Sequence, residues 1–279
     1  MRLRCLAPGK VNLSLYVGAP REDGLHPLVS VVQPVALADE LTLEPARRAT
    51  ADVVDCPGVE GDNLALTALA AFREATGWDA PPQLLTIRKR VPVAAGMGGG
   101  SGDAAAALRL AAHAAGVADE ALLLALAARL GGDVPSQVAP GRTLMTGAGE
   151  HVRALEPAGS LALVILPSEH GLSTPAVYRE FDRLGVQRSA GELAALEARG
   201  GDLPVHNDLQ DAARSLCPPV DAALAAVAAT GADHVLVSGS GPTVFGLYDD
   251  PERARAAAAA VGGIAAEPVE AGFGEVREA

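Results

Sequence analysis

The sequence predicts a two-domain α+β protein, on three observations. Strand-like apolar runs and helix-periodic stretches mix irregularly and include a hairpin, instead of alternating as βαβ units. The 279 residues suffice for two domains, and 49% hydrophobic residues can fill their cores. Glu156-Pro157-Ala158-Gly159 breaks the pattern and marks a boundary. The expected units are residues 1–156 and 157–279.

In the first unit, residues 1–44 alternate as strands, with Val11, Leu13, Leu15 and Val17 on one face. Ala7-Pro8-Gly9-Lys10-Val11-Asn12 should interrupt them. A polar turn, Arg21 to Pro27, leads to a second apolar run, Leu28 to Val35. Asp62 or Asn63 can cap a helix running from Leu64 through Phe72 to a stop near Gly77. Leu84 to Lys89 reads as a strand. After a glycine run and an alanine-rich helix, Asp119 begins a leucine-rich helix that stops at Gly131-Gly132. Asp133-Val134-Pro135 is a turn that can start a short helix, and Gly141–Gly149 and Val152–Leu155 are strands.

The second unit opens with a buried-type strand, Leu161 to Leu166. Helices are expected from Ser173-Thr174-Pro175, over Glu192–Arg199, from Asn207-Asp208, over Pro219–Thr230 and from Asp250-Pro251. Strands Val235–Val237 and Val244–Leu247 flank a second glycine turn, Ser238 to Thr243, and Ile264–Val269 returns as a strand.

Composition narrows the function. The formal net charge is −12, which argues against nucleic acid as a partner. Aromatic residues are only 3%, so alanine, leucine and valine must fill the cores. Cys5, Cys56 and Cys217 stand far apart without metal-ligand spacing, which fits free thiols in a reducing compartment. No apolar stretch has membrane-spanning length without a charge or histidine, and Met1-Arg2-Leu3-Arg4-Cys5 lacks a signal-peptide core. A cytoplasmic protein without membrane contact is expected. Of 22 basic side chains only Lys10 and Lys89 are lysine; a chain that otherwise uses arginine points there to a need for a compact ammonium.

The sharpest motif is Val91 to Leu108. An extended segment passes through Gly96, Gly98, Gly99, Gly100 and Gly102 and becomes a helix. Without Cβ atoms, backbone N–H groups can converge on an anion, and a glycine loop feeding a helix N-terminus is a phosphate site. Ser101 stands where an N-cap belongs and Asp103 where a first-turn carboxylate suits the dipole. The loop fits neither the Walker pattern, for want of a following lysine, nor the nucleophile elbow. Gly100-Ser101-Gly102-Asp103-Ala104-Ala105 spells a dinucleotide fingerprint, but Asp119 and Glu120 lie between helices instead of ending a second strand.

Pro8-Gly9-Lys10-Val11-Asn12-Leu13, this loop, and Val237-Ser238-Gly239-Ser240-Gly241-Pro242-Thr243 occur in that order. Together they resemble the three motifs of the GHMP kinases, and the similarity covers nearly the whole chain. Further features are Arg21-Glu22-Asp23-Gly24-Leu25-His26, Lys89-Arg90-Val91-Pro92, Leu130-Gly131-Gly132-Asp133-Val134-Pro135 and Asn207-Asp208-Leu209-Gln210. They resemble the branch of the family acting on a cytidine-diphosphate methylerythritol in the non-mevalonate route to isoprenoid precursors.

The resemblance implies a GHMP kinase fold, with an N-terminal domain like ribosomal protein S5 domain 2 and a ferredoxin-like C-terminal domain. It implies ATP with magnesium, a small-molecule substrate between the domains, and a monomer or homodimer. Asp133 would be the base, with Lys10 paired to it and to the transferring phosphoryl. Lys89, Pro92, Gly96, Gly98, Gly99, Gly100, Ser101, Gly102 and Asp103 would hold the nucleotide. Asn12, Leu25, His26, Thr174 and Tyr178 would hold substrate, and no residue is assigned as a metal ligand.

On the residues alone, Asp133 also reads as a helix N-cap, and Arg88-Lys89-Arg90 as a solvated face. Leu25 replaces an aromatic usual in relatives, and Ser136-Gln137 replace a hydrophobic or aromatic residue, so the acceptor stays open. A GHMP-type kinase of a sugar or homoserine-like alcohol, and a nucleotide-binding protein without turnover, are the alternatives.

Overall fold

In the computed structural model, which describes residues 1–279, the first strand runs straight through its proline and glycine. β1 (Leu3–Val17) pairs antiparallel with β2 (Leu28–Pro45). The Ala7–Asn12 stretch therefore lies within the strand, accommodated by register shifts between Pro8 and Gly9 and between Asn12 and Ser14. An inserted residue also exchanges the faces of a strand. Accordingly Val11 and Leu13 pack in one apolar cluster and Leu15 and Val17 in another, so the four do not share a face.

β3 (Val53–Asp55) precedes α1 (Leu64–Thr76), whose first turn is capped by Asn63 Oδ1 accepting from Ala65 N and which stops at Gly77. β4 (Gln83–Arg88) leads into the glycine loop and α2 (Gly99–Ala115). α3 (Glu120–Leu130), capped by Asp119, is followed by a 3₁₀ turn at Pro135–Gln137. β5 (Thr143–Thr146) and β6 (His151–Ala154) end this half.

Then come β7 (Ala162–Leu166), α4 (Thr174–Leu184), α5 (Ala190–Ala198), β8 (His206–Asn207) and α6 (Gln210–Leu216). α7 (Pro219–Ala228), β9 (His234–Val237), β10 (Val244–Tyr248), α8 (Pro251–Val261), β11 (Ile264–Ala266) and β12 (Arg277–Glu278) complete the chain. Asn207 does not open a helix as expected. It pairs with Leu15 in a short parallel addition to β1, and the helix starts at Gln210.

The α+β class is as the sequence predicts. One sheet has the order β12-β1-β2-β4-β3, with β5 and β6 continuing from β2 and β8 beside β1. The other, β11-β7-β10-β9, is antiparallel throughout. The core that joins α1, α2 and α3 to the first sheet includes Ala104, Ala105, Ala106, Ala107 and Leu108, all fully buried. Alanines at these places let α2 approach β1 closely, which sets the helix N-terminus above Lys10. A second core joins the sheets through Val11, Val31, Ile165 and Phe245.

Candidate active site

The glycine loop is held open by a second turn beneath it. Gly96 has φ 74°, and a Cβ there would overlap the Ser238 carbonyl oxygen and stand 2.8 Å from that of Gly241. Ser238 Oγ donates to Gly96 O at 3.0 Å, and Thr243 N to Ala95 O at 3.3 Å. The two glycine segments, remote in sequence, thus form one wall. α2 begins at Gly99 with Gly98 as its cap, without a side-chain cap bond. Ser101 is therefore inside the first turn, not the N-cap expected of it. The first N–H groups of an uncapped helix lack internal partners, and Gly99, Gly100 and Ser101 line a cavity of about 420 Å³. Gly96, Gly98 and Pro92 line it too. Gly102 does not: its missing side chain clears the Pro8 carbonyl oxygen, 3.0 Å from where a Cβ would be, so it serves helix packing.

Lys10 reaches this cavity from the bulged part of β1. Its Nζ lies 3.1 Å from Asp133 Oδ2 and donates to Asn12 Oδ1 at 2.8 Å. Asn12 Nδ2 donates to Ser30 Oγ, which donates to Ser14 O at 2.6 Å. A chain of bonds so fixes the ammonium to the β1–β2 ladder. Two glycines leave it room: a Cβ on Gly98 would lie 3.0 Å from the Lys10 stem, and one on Gly239 3.4 Å from its Nζ. Asp133 precedes the 3₁₀ turn and caps no helix with its side chain; it faces the cavity.

Lys89 is only 14% exposed, which excludes the solvated-face reading. Its Nζ donates to Asp39 Oδ2 at 2.5 Å and to Asp103 Oδ2 at 2.7 Å. Asp103 lies beyond the first turn of α2, so the dipole reading fails; it is a buried ion-pair partner. Burial pushes its carboxyl up to about 7, against the pull of Lys89 and with the help of Asp39. Burial opposes the Lys89 charge, but the two carboxylates outweigh it and raise its pKa. Sequence reasoning missed Asp39 because it stands mid-strand with no motif around it.

On the other side the cavity is walled by Leu15, Leu172, Tyr178 and Leu209, with Thr174 and Ser240 at its edge, their hydroxyls 2.9 Å apart. Burial pushes the Tyr178 phenol up, and the nearby Asp133 charge adds to it. His26 does not line the cavity. Its Nδ1 donates to Gly18 O at 2.9 Å, and its ring backs Tyr178 at 4.9 Å between centroids. Leu25, expected at the substrate, stands on the surface turn, 53% exposed and outside the cavity lining. Ser136 and Gln137 are buried and also outside it.

Asn207 went without a role in the sequence. Its Nδ2 donates to Val237 O and Gly239 O, both at 2.8 Å, and its Oδ1 accepts from Leu209 N. It ties the second glycine turn to β1. Cys56, Val59, Asp62, Asn63, Leu64 and Val93 also line the cavity.

The family model described as GHMP kinases N terminal domain matches residues 63–141, and that described as GHMP kinases C terminal matches residues 178–265. A 4-diphosphocytidyl-2-C-methyl-D-erythritol kinase of Streptomyces coelicolor is 42% identical over 91% of this chain and 90% of its own. One of Kineococcus radiotolerans is 44% identical over 89% of this chain and 82% of its own. A crystal structure of 4-(cytidine 5'-diphospho)-2C-methyl-D-erythritol kinase superposes with TM-score 0.77 at 35% identity, covering 96% of this chain and all of that one. A homoserine kinase from Cytophaga hutchinsonii, at TM-score 0.72 and 16% identity, shares the fold. The chain belongs to the GHMP kinase family of ATP-dependent small-molecule kinases.

Proposed function

We propose that the protein transfers the γ-phosphoryl group of ATP to the 2-hydroxyl of 4-diphosphocytidyl-2-C-methyl-D-erythritol, in the non-mevalonate route to isoprenoid precursors. The observation that carries this reading is the Lys10–Asp133 pair, set at 3.1 Å between the uncapped start of α2 and the Tyr178 wall. The names of the most similar relatives supply the acceptor. The two sequence departures, at Leu25 and at Ser136-Gln137, fall outside the cavity lining.

In this reading the phosphates lie on the N–H groups of Gly99, Gly100 and Ser101, where the helix dipole favours negative charge. Residues 1–156 supply this nucleotide side, and residues 157–279 supply Thr174 and Tyr178 on the acceptor side. Asp133 accepts the proton of the acceptor hydroxyl as its oxygen bonds to the γ-phosphorus. The bond from that phosphorus to the bridging oxygen breaks, and ADP leaves. Lys10 stabilises the equatorial oxygens of the moving group, the positioning and charge work such transfers need. Asn12 holds Lys10. Magnesium would come bound to the phosphates of ATP, where it would neutralise their charge.

The test is ADP formation by purified protein across a panel of alcohols. The cytidylyl substrate should be phosphorylated, and homoserine and simple sugars should not. Turnover of one of these with none of the cytidylyl compound would shift the assignment to another acceptor.

A further inference from the structure

Asp39 lies outside the cavity and belongs to no family motif named above, yet it touches three parts of the nucleotide side. Its Oδ1 accepts from Arg90 N and from Val91 N, the latter at 2.8 Å, where the chain leaves β4 for the glycine loop. Its Oδ2 takes Lys89 Nζ, which also reaches Asp103 on α2. The carboxylate is fully buried, and Asp103 Oδ1 is buried without a partner. Two carboxylates therefore share one ammonium. Lys89, with a third N–H, and Asp103 both line the cavity.

We propose that Asp39 is a positioning residue for the nucleotide: it pins the start of the glycine loop, aims Lys89 into the cavity, and makes the cluster take up a proton when an anionic nucleotide binds. This rests on the reading of the cavity as the ATP site. A fully ionised cluster carries one net negative charge beside the phosphates. An arriving anion, or one that draws Lys89 toward itself, favours the protonated carboxyl. Asp103 is the group poised for this, with its carboxyl up at about 7. The other titratable groups facing it are Cys5 on β1 and Cys56 beyond β3, and burial pushes both thiols up, Cys5 to about 11. Arg109, behind Cys5, is charged throughout. The neutral thiols leave Asp39, Lys89 and Asp103 to set the local charge.

The experiment is calorimetry of magnesium–ADP binding in buffers of different ionisation enthalpy. Near about pH 7.5 the wild type should take up roughly half a proton per nucleotide, and Asp39→Asn should take up little. The proton linkage of the nucleotide itself is common to both. Asp39→Asn should also raise the KM for ATP about tenfold with less than a twofold change in kcat, the mark of lost ground-state binding. Asp103→Asn, which leaves the backbone bonds of Asp39 intact, should abolish the uptake as well and serves if the first variant does not fold. Uptake equal in the wild type and either variant would overturn the inference while leaving the ATP site intact. Failure of the wild type to bind the nucleotide would overturn the reading beneath it.

Discussion

Lys10 Nζ stands 3.1 Å from Asp133 Oδ2, and the lysine side chain is 3% exposed where the aspartate is 35%. The buried member is anchored through Asn12 to the ladder of β1 and β2, while the open member faces the cavity. Such a pair is fixed on one side and free on the other to meet a hydroxyl. Asp133→Asn should keep nucleotide affinity and lose about 10²–10⁴ in turnover. Lys10→Met should also cut turnover, and the double variant should be little slower than either single one, because groups acting as a unit are not additive. Single-turnover rates check this; full additivity would mean that the two work independently.

The glycines divide into two kinds. Gly100 has nothing within 4 Å of a Cβ position, whereas Gly96 has the second glycine turn against it and φ 74°. Gly100→Val should therefore melt within a few degrees of wild type and bind ATP at least tenfold more weakly, since the side chain meets only the ligand. Gly96→Ala should lower the melting temperature, with a cost of about 1–3 kcal/mol or more for strain and displaced backbone. Equal ATP affinity of wild type and Gly100→Val would remove the loop as a phosphate site.

The sequence carried the loop, the lysine and the aspartate because each sits in a local pattern of glycine and helix signals. Asp39 escaped because its role depends on strand register: only pairing Glu40 with Arg88 puts it beneath Lys89. The bulges of β1 escaped for a related reason, since a proline and glycine in a strand read as a break until a partner strand absorbs them. Asn207 stands in a recognisable motif, but its bonds to Val237 and Gly239 belong to tertiary structure. The motif resemblance puts His26 at the substrate, whereas packing sets it one layer behind, against Tyr178.

Tyr178 lines the cavity as its one aromatic wall, on the side proposed for the acceptor, and Leu25 stands away from the lining. A base stacked on an aromatic side chain gains about 1–3 kcal/mol. Tyr178→Leu should raise the KM for the cytidylyl substrate by roughly 5- to 100-fold with a smaller change in kcat, while Leu25→Ala should change either less than about twofold. Steady-state kinetics with cytidine diphosphate as trial inhibitor checks both. A larger effect at Leu25 than at Tyr178 would put the base on the surface turn.

Asp103 makes stability depend on pH. Its carboxyl, near 4 in the unfolded chain, is pushed up to about 7 by burial. Between those values the folded state binds more protons than the unfolded one, so this residue lowers stability as pH rises through the window and adds no further slope above it. Asp103→Asn removes the term. Its melting temperature relative to wild type should rise by several degrees from about pH 5 to about pH 8. A difference independent of pH would show that the carboxyl ionises normally.

In the proposed reaction the Lys10–Asp133 pair drives phosphoryl transfer from ATP to the 2-hydroxyl of the cytidylyl substrate. The most direct measurement is phosphorus-31 NMR of the product formed from ATP and 4-diphosphocytidyl-2-C-methyl-D-erythritol, run beside Asp133→Asn. A new monoester signal on the tertiary 2-hydroxyl should appear as ADP accumulates, at a rate lower by about 10²–10⁴ in the variant. A phosphoryl group on another hydroxyl, no product at all, or equal rates in wild type and variant would contradict it.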